Sequence, residues 1–337
     1  LKEIVAKRQE IEKKWAAENP EKAAKMAEWF SGKAPNIDWS NLVQKPNSPT
    51  RAASAACLGV LSEQVKNMIV SSADLCNSDK TDGFLKDTHN ITRGDFSGAF
   101  FQAGVSELTM ACMCIGMYLH GGIIPACGTF FVFSDYLKAA LRLSALQNLP
   151  VTYVFTHDSI AVGEDGPTHE PIEHLASLRT IPNTYVFRPA DATEAQAAWY
   201  LSQKVNNKPT SLVLTRQNLP VLENTSFEKV SKGAYVVYET SSDFDTILIA
   251  TGSEVALAVD VARELEKEGS KVRVVSMPSV ELFEEQSKEY KEELLPRSVR
   301  RRVSLEMGNT ALWYKYVGLD GLAIGIDNFG ASAPANK

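Results

Sequence analysis

The fold is decided by Val151-Thr-Tyr-Val-Phe155, an apolar run rich in β-branched and aromatic residues, and by the loop after it, Thr156-His-Asp-Ser-Ile-Ala-Val-Gly-Glu-Asp-Gly-Pro-Thr-His-Glu-Pro171. The run predicts a buried strand. The loop carries two histidines and four carboxylates. Because the ligand crevice of an open α/β sheet lies at the carboxyl ends of its strands, this density of titratable groups predicts a functional site rather than an ordinary surface loop.

Strands and helices alternate on both sides of this loop. The patterns predict helices over 50–66, 134–147 and 193–204, with strands over 151–155, 184–187 and 211–214. Farther along, a strand over 246–250, a helix over 255–268 and a strand over 271–275 form a β-α-β unit. Such alternation predicts two doubly wound α/β domains with mostly parallel sheets, because right-handed crossovers place helices on both faces.

Other segments complete the predicted organisation. The segment 108–119 is apolar on nearly every face, which is typical of an enclosed helix. Thr251-Gly-Ser-Glu254 has the form of a capping box. The apolar patterns before residue 31 predict two helices. The first has an apolar stripe formed by Ile4, Ile11 and Trp15. The second has a buried face formed by Ala23, Met26, Ala27 and Phe30. We therefore expect a helical interdomain linker over 1–49 and domains over 50–228 and 229–337.

Composition excludes several classes of partner and site. A net charge of −6 and a pI near 5.6 give no electrostatic basis for binding nucleic acid or an anionic membrane. Five cysteines without a Cys-x-x-Cys pair suggest neither a disulfide framework nor a zinc site, and we expect a cytoplasmic protein. The chain has no initiator Met and ends in a loop-like stretch, so we expect it to be a piece of a longer protein or a separately encoded subunit.

Six motifs resemble the transketolase family in order and spacing across residues 50–335. They are His157-Asp-Ser-Ile-Ala-Val-Gly-Glu-Asp-Gly-Pro-Thr-His-Glu-Pro171, Ser72-Ala-Asp-Leu75, Leu119-His-Gly-Gly122, Thr215-Arg-Gln-Asn218, Ala250-Thr-Gly-Ser-Glu254 and Ser276-Met-Pro-Ser279. The resemblance implies a thiamine diphosphate enzyme of the pentose phosphate pathway, which moves a two-carbon ketol unit from a ketose phosphate to an aldose phosphate. It covers the pyrimidine-binding and C-terminal domains. The family's diphosphate-binding domain, with its Gly-Asp-Gly motif and Mg²⁺ ligands, has no counterpart here, so we expect the chain alone to be inactive and to provide no metal ligands.

The resemblance implies a set of residues around the cofactor's aminopyrimidine ring. Glu107 begins an apolar helix and would hydrogen-bond to N1′ of the ring; without the resemblance it is an acid favoured by the helix dipole. The side chains of Phe130, Phe133 and Tyr136 would surround the ring, although aromatic residues at this spacing are usually core. Asp74 would lie near the cofactor, with a simple turn acid as the alternative.

The resemblance also implies contacts with a sugar phosphate. An arginine at a strand end can grip phosphate through two hydrogen bonds, and Arg216 has that position. Asp165 would meet the C2 hydroxyl of the substrate, and His169 would move a proton near the reacting carbon. The remaining phosphate contacts would be Arg51, Ser78 and His157. We expect structural roles for His120 and His174, and we assign none to His89.

Family members form twofold dimers, so the resemblance implies that a second subunit or the missing diphosphate-binding domain completes the site. Three alternatives stay open. The chain could be the small subunit of a split transketolase, or a related thiamine diphosphate enzyme such as deoxyxylulose-phosphate synthase or the β subunit of a pyruvate-type dehydrogenase. It could also be a non-catalytic dimerisation or regulatory module. A module selected for packing alone has no need of Glu107, Asp165, His169 and Arg216 together at strand ends.

Overall fold

The computed structural model describes residues 1–334, which form two helix-covered sheets and confirm the α/β fold class. The strands of the first sheet are β1 (Met68–Ser72), β2 (Phe100–Gln102), β3 (Ile124–Phe130), β4 (Thr152–Thr156), β5 (Tyr185–Phe187) and β6 (Thr210–Leu214). Those of the second sheet are β7 (Tyr235–Glu239), β8 (Thr246–Ala250), β9 (Val272–Ser276), β10 (Arg301–Leu305) and β11 (Leu322–Ile324).

Helices connect these strands. The helices up to the first sheet's last crossover are α1 (Lys2–Glu18), α2 (Pro20–Phe30), α3 (Thr50–Gln64), α4 (Cys76–Asp79), α5 (Glu107–His120), α6 (Ser134–Leu146), α7 (His174–Arg179) and α8 (Ala192–Lys204). The later helices are α9 (Phe227–Val230), α10 (Glu254–Lys267), α11 (Val280–Glu284), α12 (Lys288–Leu294) and α13 (Tyr314–Val317). Short 3₁₀ turns occupy Thr81–Lys86, Phe131–Phe133, Ile160–Val162 and Ala311–Trp313.

The first sheet is parallel throughout, in the order β2-β1-β3-β4-β6-β5. Phe130 at the end of β3 pairs with Thr156 at the end of β4, and Thr156 pairs with Leu214 at the end of β6. The carboxyl ends of these three strands therefore lie side by side. Their following loops emerge at one edge of the sheet, where ligands of doubly wound folds bind.

The second sheet has the order β11-β10-β8-β9-β7, and only the edge strand β7 pairs antiparallel within it. One apolar cluster continues from the first sheet into the second. It contains Trp199 and Leu214 of the first unit together with Tyr235, Leu248 and Val255 of the second. A separate cluster under α5 and α6 covers the other face of the first sheet. The two units thus share part of their core.

Three predicted helix faces are not buried by residues 1–334. No residue of α1 or α2 is buried, and Ile4, Met26 and Phe30 are all largely exposed. The helix α5 packs one side on the first sheet, but Leu108 and Leu119 on its other side are 48% and 58% exposed. An apolar pattern shows that a face favours burial, but it does not show which chain covers that face.

All five cysteines are free thiols. Within residues 1–334, no helix has both the length and the apolar character required to cross a bilayer.

Candidate functional site

The candidate site begins at the shared carboxyl edge of β3, β4 and β6. Helix α3 is tied to this edge because the Thr50 hydroxyl accepts from the Thr215 backbone N–H at 2.8 Å and the Thr50 N–H donates to the Thr215 hydroxyl at 3.0 Å. This pairing brings Arg51, in the first turn of α3, to the ends of β4 and β6. Residues separated by 165 positions in sequence therefore meet at one point.

An aromatic cluster follows the end of β3. The rings of Phe130 and Phe133 are nearly parallel, 8° apart in orientation, with centroids 6.0 Å apart. The ring of Tyr136 lies 6.1 Å from that of Phe133 and is 64% exposed. The His169 ring meets both phenylalanines edge-on, at 6.3 and 5.3 Å. The rings of Phe130, Phe133 and Tyr136 form a partly exposed aromatic wall. This surface fits one face of a flat heterocycle by stacking.

A group of cations lies beside this wall. One guanidinium nitrogen of Arg51 donates to the Ser78 carbonyl at 2.7 Å and lies 3.3 Å from Nε2 of His157, while its Nε is buried without a hydrogen-bond partner. Arg216 reaches the Val162 carbonyl at 3.5 Å. Within residues 1–334, neither arginine forms an ion pair with a carboxylate. Burial lowers the pKa of Arg51, and the charge of Arg216 lowers it further.

His157 joins the aromatic and cationic groups. Its ring centroid lies 3.7 Å from that of Phe130, and its Nδ1 lies 2.9 Å from the Thr156 hydroxyl. Burial, followed by the charges of Arg51, Arg216 and His169, lowers the pKa of His157 to about 3. The ring is therefore neutral near pH 7. Because Arg51 can only donate, we assign the proton of His157 to Nδ1 and the acceptor role to Nε2.

The loop between His157 and Pro171 presents its other polar groups differently. Asp165 is exposed between two glycines with positive φ, Gly163 at 82° and Gly166 at 74°. His169 is half-buried, with Nδ1 2.9 Å from the Thr168 hydroxyl. The aromatic rings and His169 thus face one another, whereas Asp165 projects from the loop.

The other residues predicted for the site have fewer contacts with this group. Ser78 contacts Arg51 through its carbonyl rather than its hydroxyl. Asp74 is exposed in a turn with φ 64°, which agrees with the turn-acid alternative. Glu107 starts α5 after β2, at the same sheet edge, and is 8% exposed. In the described part of the chain its carboxyl has no hydrogen-bond partner, so it is available to a ligand donor.

Three histidines lie outside the cluster. His174 is buried with Nε2 3.2 Å from an Asp135 oxygen, which fits the expected structural role. His120 ends α5, and its ring lies 6.0 Å from that of Phe30. His89 is exposed and bonds to the Ser97 hydroxyl at 3.1 Å.

Sequence reasoning missed a buried ionic network between the two units. Arg188, directly after β5, donates to Asp158 at 2.9 Å and also pairs with Glu254. Arg179 binds Glu306 through two hydrogen bonds of 2.8 Å. Each of these groups follows a strand or begins or ends a helix, but nothing local in the sequence shows which acid pairs with which base.

The predicted capping box at Thr251-Gly-Ser-Glu254 is wrong, because its side chains bond to residues distant in sequence. Ser253 is the N-cap residue of α10 and makes no side-chain capping bond. The Thr251 hydroxyl instead donates to Glu306 at 2.5 Å, and Glu254 turns to Arg188. A tertiary hydrogen bond and a tertiary ion pair thus occupy the two side chains that the local capping motif would use.

A second missed residue is Asp79, which is fully buried beside the site. It accepts from the hydroxyls of Ser72 at 2.7 Å and Thr81 at 2.6 Å. These bonds fix the turn after β1, which carries Ser78 and its contact with Arg51. Burial raises the pKa of Asp79, and the hydroxyl bonds oppose that rise.

Comparisons with known proteins show the family of the chain. Residues 47–221 match the family description "Transketolase, pyrimidine binding domain", and residues 233–337 match "Transketolase-like TK C-terminal domain". The chain is 57% identical over 327 residues to a probable transketolase of Streptococcus pneumoniae, covering 95% of this chain and 49% of that protein. It is 51% identical to a transketolase of Bacillus subtilis, covering 94% and 48%.

Solved structures give the same result. The transketolase from Leishmania mexicana superposes with a TM-score of 0.92 at 39% identity, covering 97% of this chain and 48% of that one. A structure described as "Split gene transketolase, inactive beta4 tetramer" superposes with a TM-score of 0.68 at 26% identity, covering 84% of this chain and 90% of that one. The chain spans about half the length of the curated relatives that it matches.

Proposed function

The chain belongs to the transketolase family, and from that premise we propose that it supplies the pyrimidine-binding half of a thiamine diphosphate-dependent transketolase. In this proposal the complete enzyme transfers a two-carbon ketol unit from a ketose phosphate to an aldose phosphate, in the pentose phosphate pathway of the cytoplasm. Residues 50–228 form the pyrimidine-binding domain, 229–337 the C-terminal domain and 1–49 the helical linker.

One observation carries the proposal: two arginines, which form no ion pair with a carboxylate of residues 1–334, lie around a neutral histidine and next to the aromatic rings. A carboxylate partner would neutralise the charge of a buried arginine and leave little of it to attract an anion. The charges of Arg51 and Arg216 are not neutralised in this way, so each guanidinium can bind a phosphate dianion through two hydrogen bonds. The sugar phosphate would thus be held by Arg51, Arg216, His157 and Ser78.

The aromatic wall and Glu107 fit the aminopyrimidine half of the cofactor. When bound, thiamine diphosphate supplies the nucleophilic carbon that breaks and forms the carbon–carbon bond. Phe130, Phe133 and Tyr136 would hold the ring by stacking, and the carboxyl of Glu107 would hold a proton at N1′. Asp74, exposed in its turn after β1, would lie near the cofactor. The diphosphate and Mg²⁺ would be held by another region or chain.

Two further residues act on the sugar in this proposal. His169, which faces both phenylalanine rings, moves a proton at the oxygen beside the reacting carbon. Asp165 projects from the loop and accepts a hydrogen bond from the C2 hydroxyl. Both come from the loop whose composition first indicated a site.

An uncovered apolar face supports the need for a second chain or region. On α5 it consists of Leu108, Met113 and Leu119, which are 48%, 38% and 58% exposed. Glu107 begins the same helix, so a partner covering this face would lie beside the proposed ring-binding carboxyl. We propose that the partner is the diphosphate-binding region of a second subunit, giving a homodimer.

A small subunit of a split transketolase is the second candidate. It is favoured by the likeness to the split-gene structure, because the two chains cover 84% and 90% of each other. That protein is described as an inactive tetramer. Under either candidate the isolated chain lacks turnover.

The test combines this chain with the diphosphate-binding half of the Streptococcus pneumoniae relative. We expect no ketol transfer from xylulose 5-phosphate to ribose 5-phosphate by the chain alone, and turnover in the combination. Glu107→Ala should abolish that turnover without changing the circular dichroism spectrum, whereas Glu173→Ala, at an exposed residue, should retain it. Turnover by the isolated chain, or tight Mg²⁺-dependent binding of thiamine diphosphate to it in calorimetry, would contradict the proposal.

A further inference from the structure

Arg188, a residue of the first unit, connects the candidate site to the second unit. This side chain is fully buried and donates from Nε to one oxygen of Asp158 at 2.9 Å, and its Nη2 lies 2.8 Å from the same oxygen in an ion pair. Its other nitrogen donates to the carbonyl and hydroxyl of Thr251, both at 3.0 Å, and to Glu254. One guanidinium therefore connects the residue after His157 to the first turn of α10.

The backbone around Arg188 is fixed as well. Its N–H donates to the Pro278 carbonyl at 2.8 Å, and its carbonyl accepts from the Gly252 N–H at 3.0 Å. Gly252 has φ 54°, and a Cβ there would lie 2.8 Å from the guanidinium carbon of Arg188. Only glycine allows this close approach, so the turn before α10 is shaped around Arg188.

His157 has an unfavourable backbone conformation. Its φ is 62°, in the left-handed region, where a non-glycine residue is strained. Such a conformation persists only where its surroundings hold it in place. On one side the imidazole contacts Phe130, Thr156 and Arg51, and on the other Asp158 is held by Arg188.

The far end of the same loop also rests on the second unit. The Ser332 hydroxyl donates to the Glu164 carbonyl at 2.6 Å. A Cβ on Gly330 would lie 2.0 Å from an oxygen of Glu170, so the chain at Gly330 packs directly on that carboxyl. Asp165 and His169 lie between these contacts.

We propose that the second unit holds both ends of the 157–170 loop in its ligand-binding shape, and that Arg188 is the positioning residue that keeps His157 in the left-handed conformation. This inference rests on the proposed function, because it assigns the loop to the sugar phosphate. It gives the C-terminal domain a role in substrate binding although none of its residues is assigned to the substrate.

The main test variant is Asp158→Asn, which keeps the side-chain shape but removes the charge that holds Arg188. If His157 then leaves the left-handed region in the free protein, binding must restore that conformation. We expect affinity for ribose 5-phosphate to fall roughly tenfold, which corresponds to about 1.4 kcal/mol. Titrations followed by nuclear magnetic resonance measure this affinity, and long-range ¹H–¹⁵N spectra report whether the His157 proton stays on Nδ1.

Two more variants keep the test decisive. Ser332→Ala changes an exposed residue and should weaken binding about two- to threefold without affecting folding. Glu194→Gln is the matched control, because Glu194 is another buried carboxyl between the units, bonded to Tyr235 and Ser276 rather than to the loop. It should bind ribose 5-phosphate like the wild type.

The outcomes separate the two ideas. If the wild-type chain binds ribose 5-phosphate no better than ribose, or if Arg51→Met binds it as well as the wild type, the proposed anion site is wrong. The anion site stands if the wild type binds ribose 5-phosphate and Arg51→Met does not. If Asp158→Asn and Ser332→Ala then keep the wild-type affinity and the Nδ1–H signal, the positioning role is wrong.

Discussion

The molecule contains two kinds of arginine at its centre. Arg179 and Arg188, between the two units, are almost fully buried, and each forms an ion pair with at least one carboxylate. Arg51 and Arg216, at the carboxyl edge of the first sheet, have only carbonyl and imidazole contacts among the residues described. The first pair serves structure, because its charge is satisfied. The second pair keeps its charge available to an anion.

The largest expected difference between these groups is in stability. Burial alone would raise the pKa of Glu306, but the charge and hydrogen bonds of Arg179 lower it to about 2. Arg179→Met would leave this carboxylate buried without its partner, so we expect the unfolding free energy to fall by about 3–5 kcal/mol. Arg216→Met should change it by less than about 0.5 kcal/mol. Urea unfolding of both variants measures this, and equal losses would remove the distinction.

A smaller effect on the unfolding free energy should come from the pH dependence of His157, which lies beside Arg51 and Arg216. His157 has a folded pKa of about 3, against about 6.5 when unfolded, so between these values the unfolded chain binds the extra proton. Stability must therefore fall as pH falls. Between pH 7 and pH 5 we expect the wild type to lose about 2 kcal/mol more than His157→Gln. Parallel pH profiles for the two proteins would show that burial and the neighbouring charges do not lower the pKa of His157 in the folded protein.

The smallest expected effect has the opposite sign and lies at the domain interface. Burial, followed by the charge of Asp191, raises the pKa of Glu194 to about 7. The folded chain then keeps a proton that the unfolded chain releases above about pH 4.5, so stability falls as pH rises. Between pH 5.5 and pH 7 the wild type should lose about 1.5 kcal/mol more than Glu194→Gln. Unfolding curves at the two pH values test this, and a difference of the opposite sign would contradict it.

Local sequence patterns were sufficient for the regular elements and for the loop with the densest polar chemistry. The strand over 246–250 has the predicted bounds, and the bounds of β4 and β6 differ from prediction by one residue. Periodicity depends on neighbours a few residues apart, and so does the density of acids and histidines after β4. These features are visible without tertiary information.

The failures concern contacts between distant residues. Arg188 pairs with Asp158 and Glu254, which are 30 and 66 positions away in the sequence. The Thr251 hydroxyl, which was predicted to cap α10, instead donates a hydrogen bond to Glu306. The helix α5 was predicted to be enclosed, but one of its apolar faces is not covered by the part of the chain that the structure describes. For the site, the roles proposed for Glu107 and Phe130 come from the family resemblance, because a lone acid and a buried ring have ordinary structural explanations.

The apolar cluster that runs from Trp199 into Val255 has a consequence for how the protein loses its structure. Both sheets contribute side chains to this core. Unfolding of one sheet would therefore expose apolar side chains of the other sheet to water. We therefore expect the two units to unfold together, so that a substitution that destabilises the second sheet also destabilises the carboxyl edge of the first sheet.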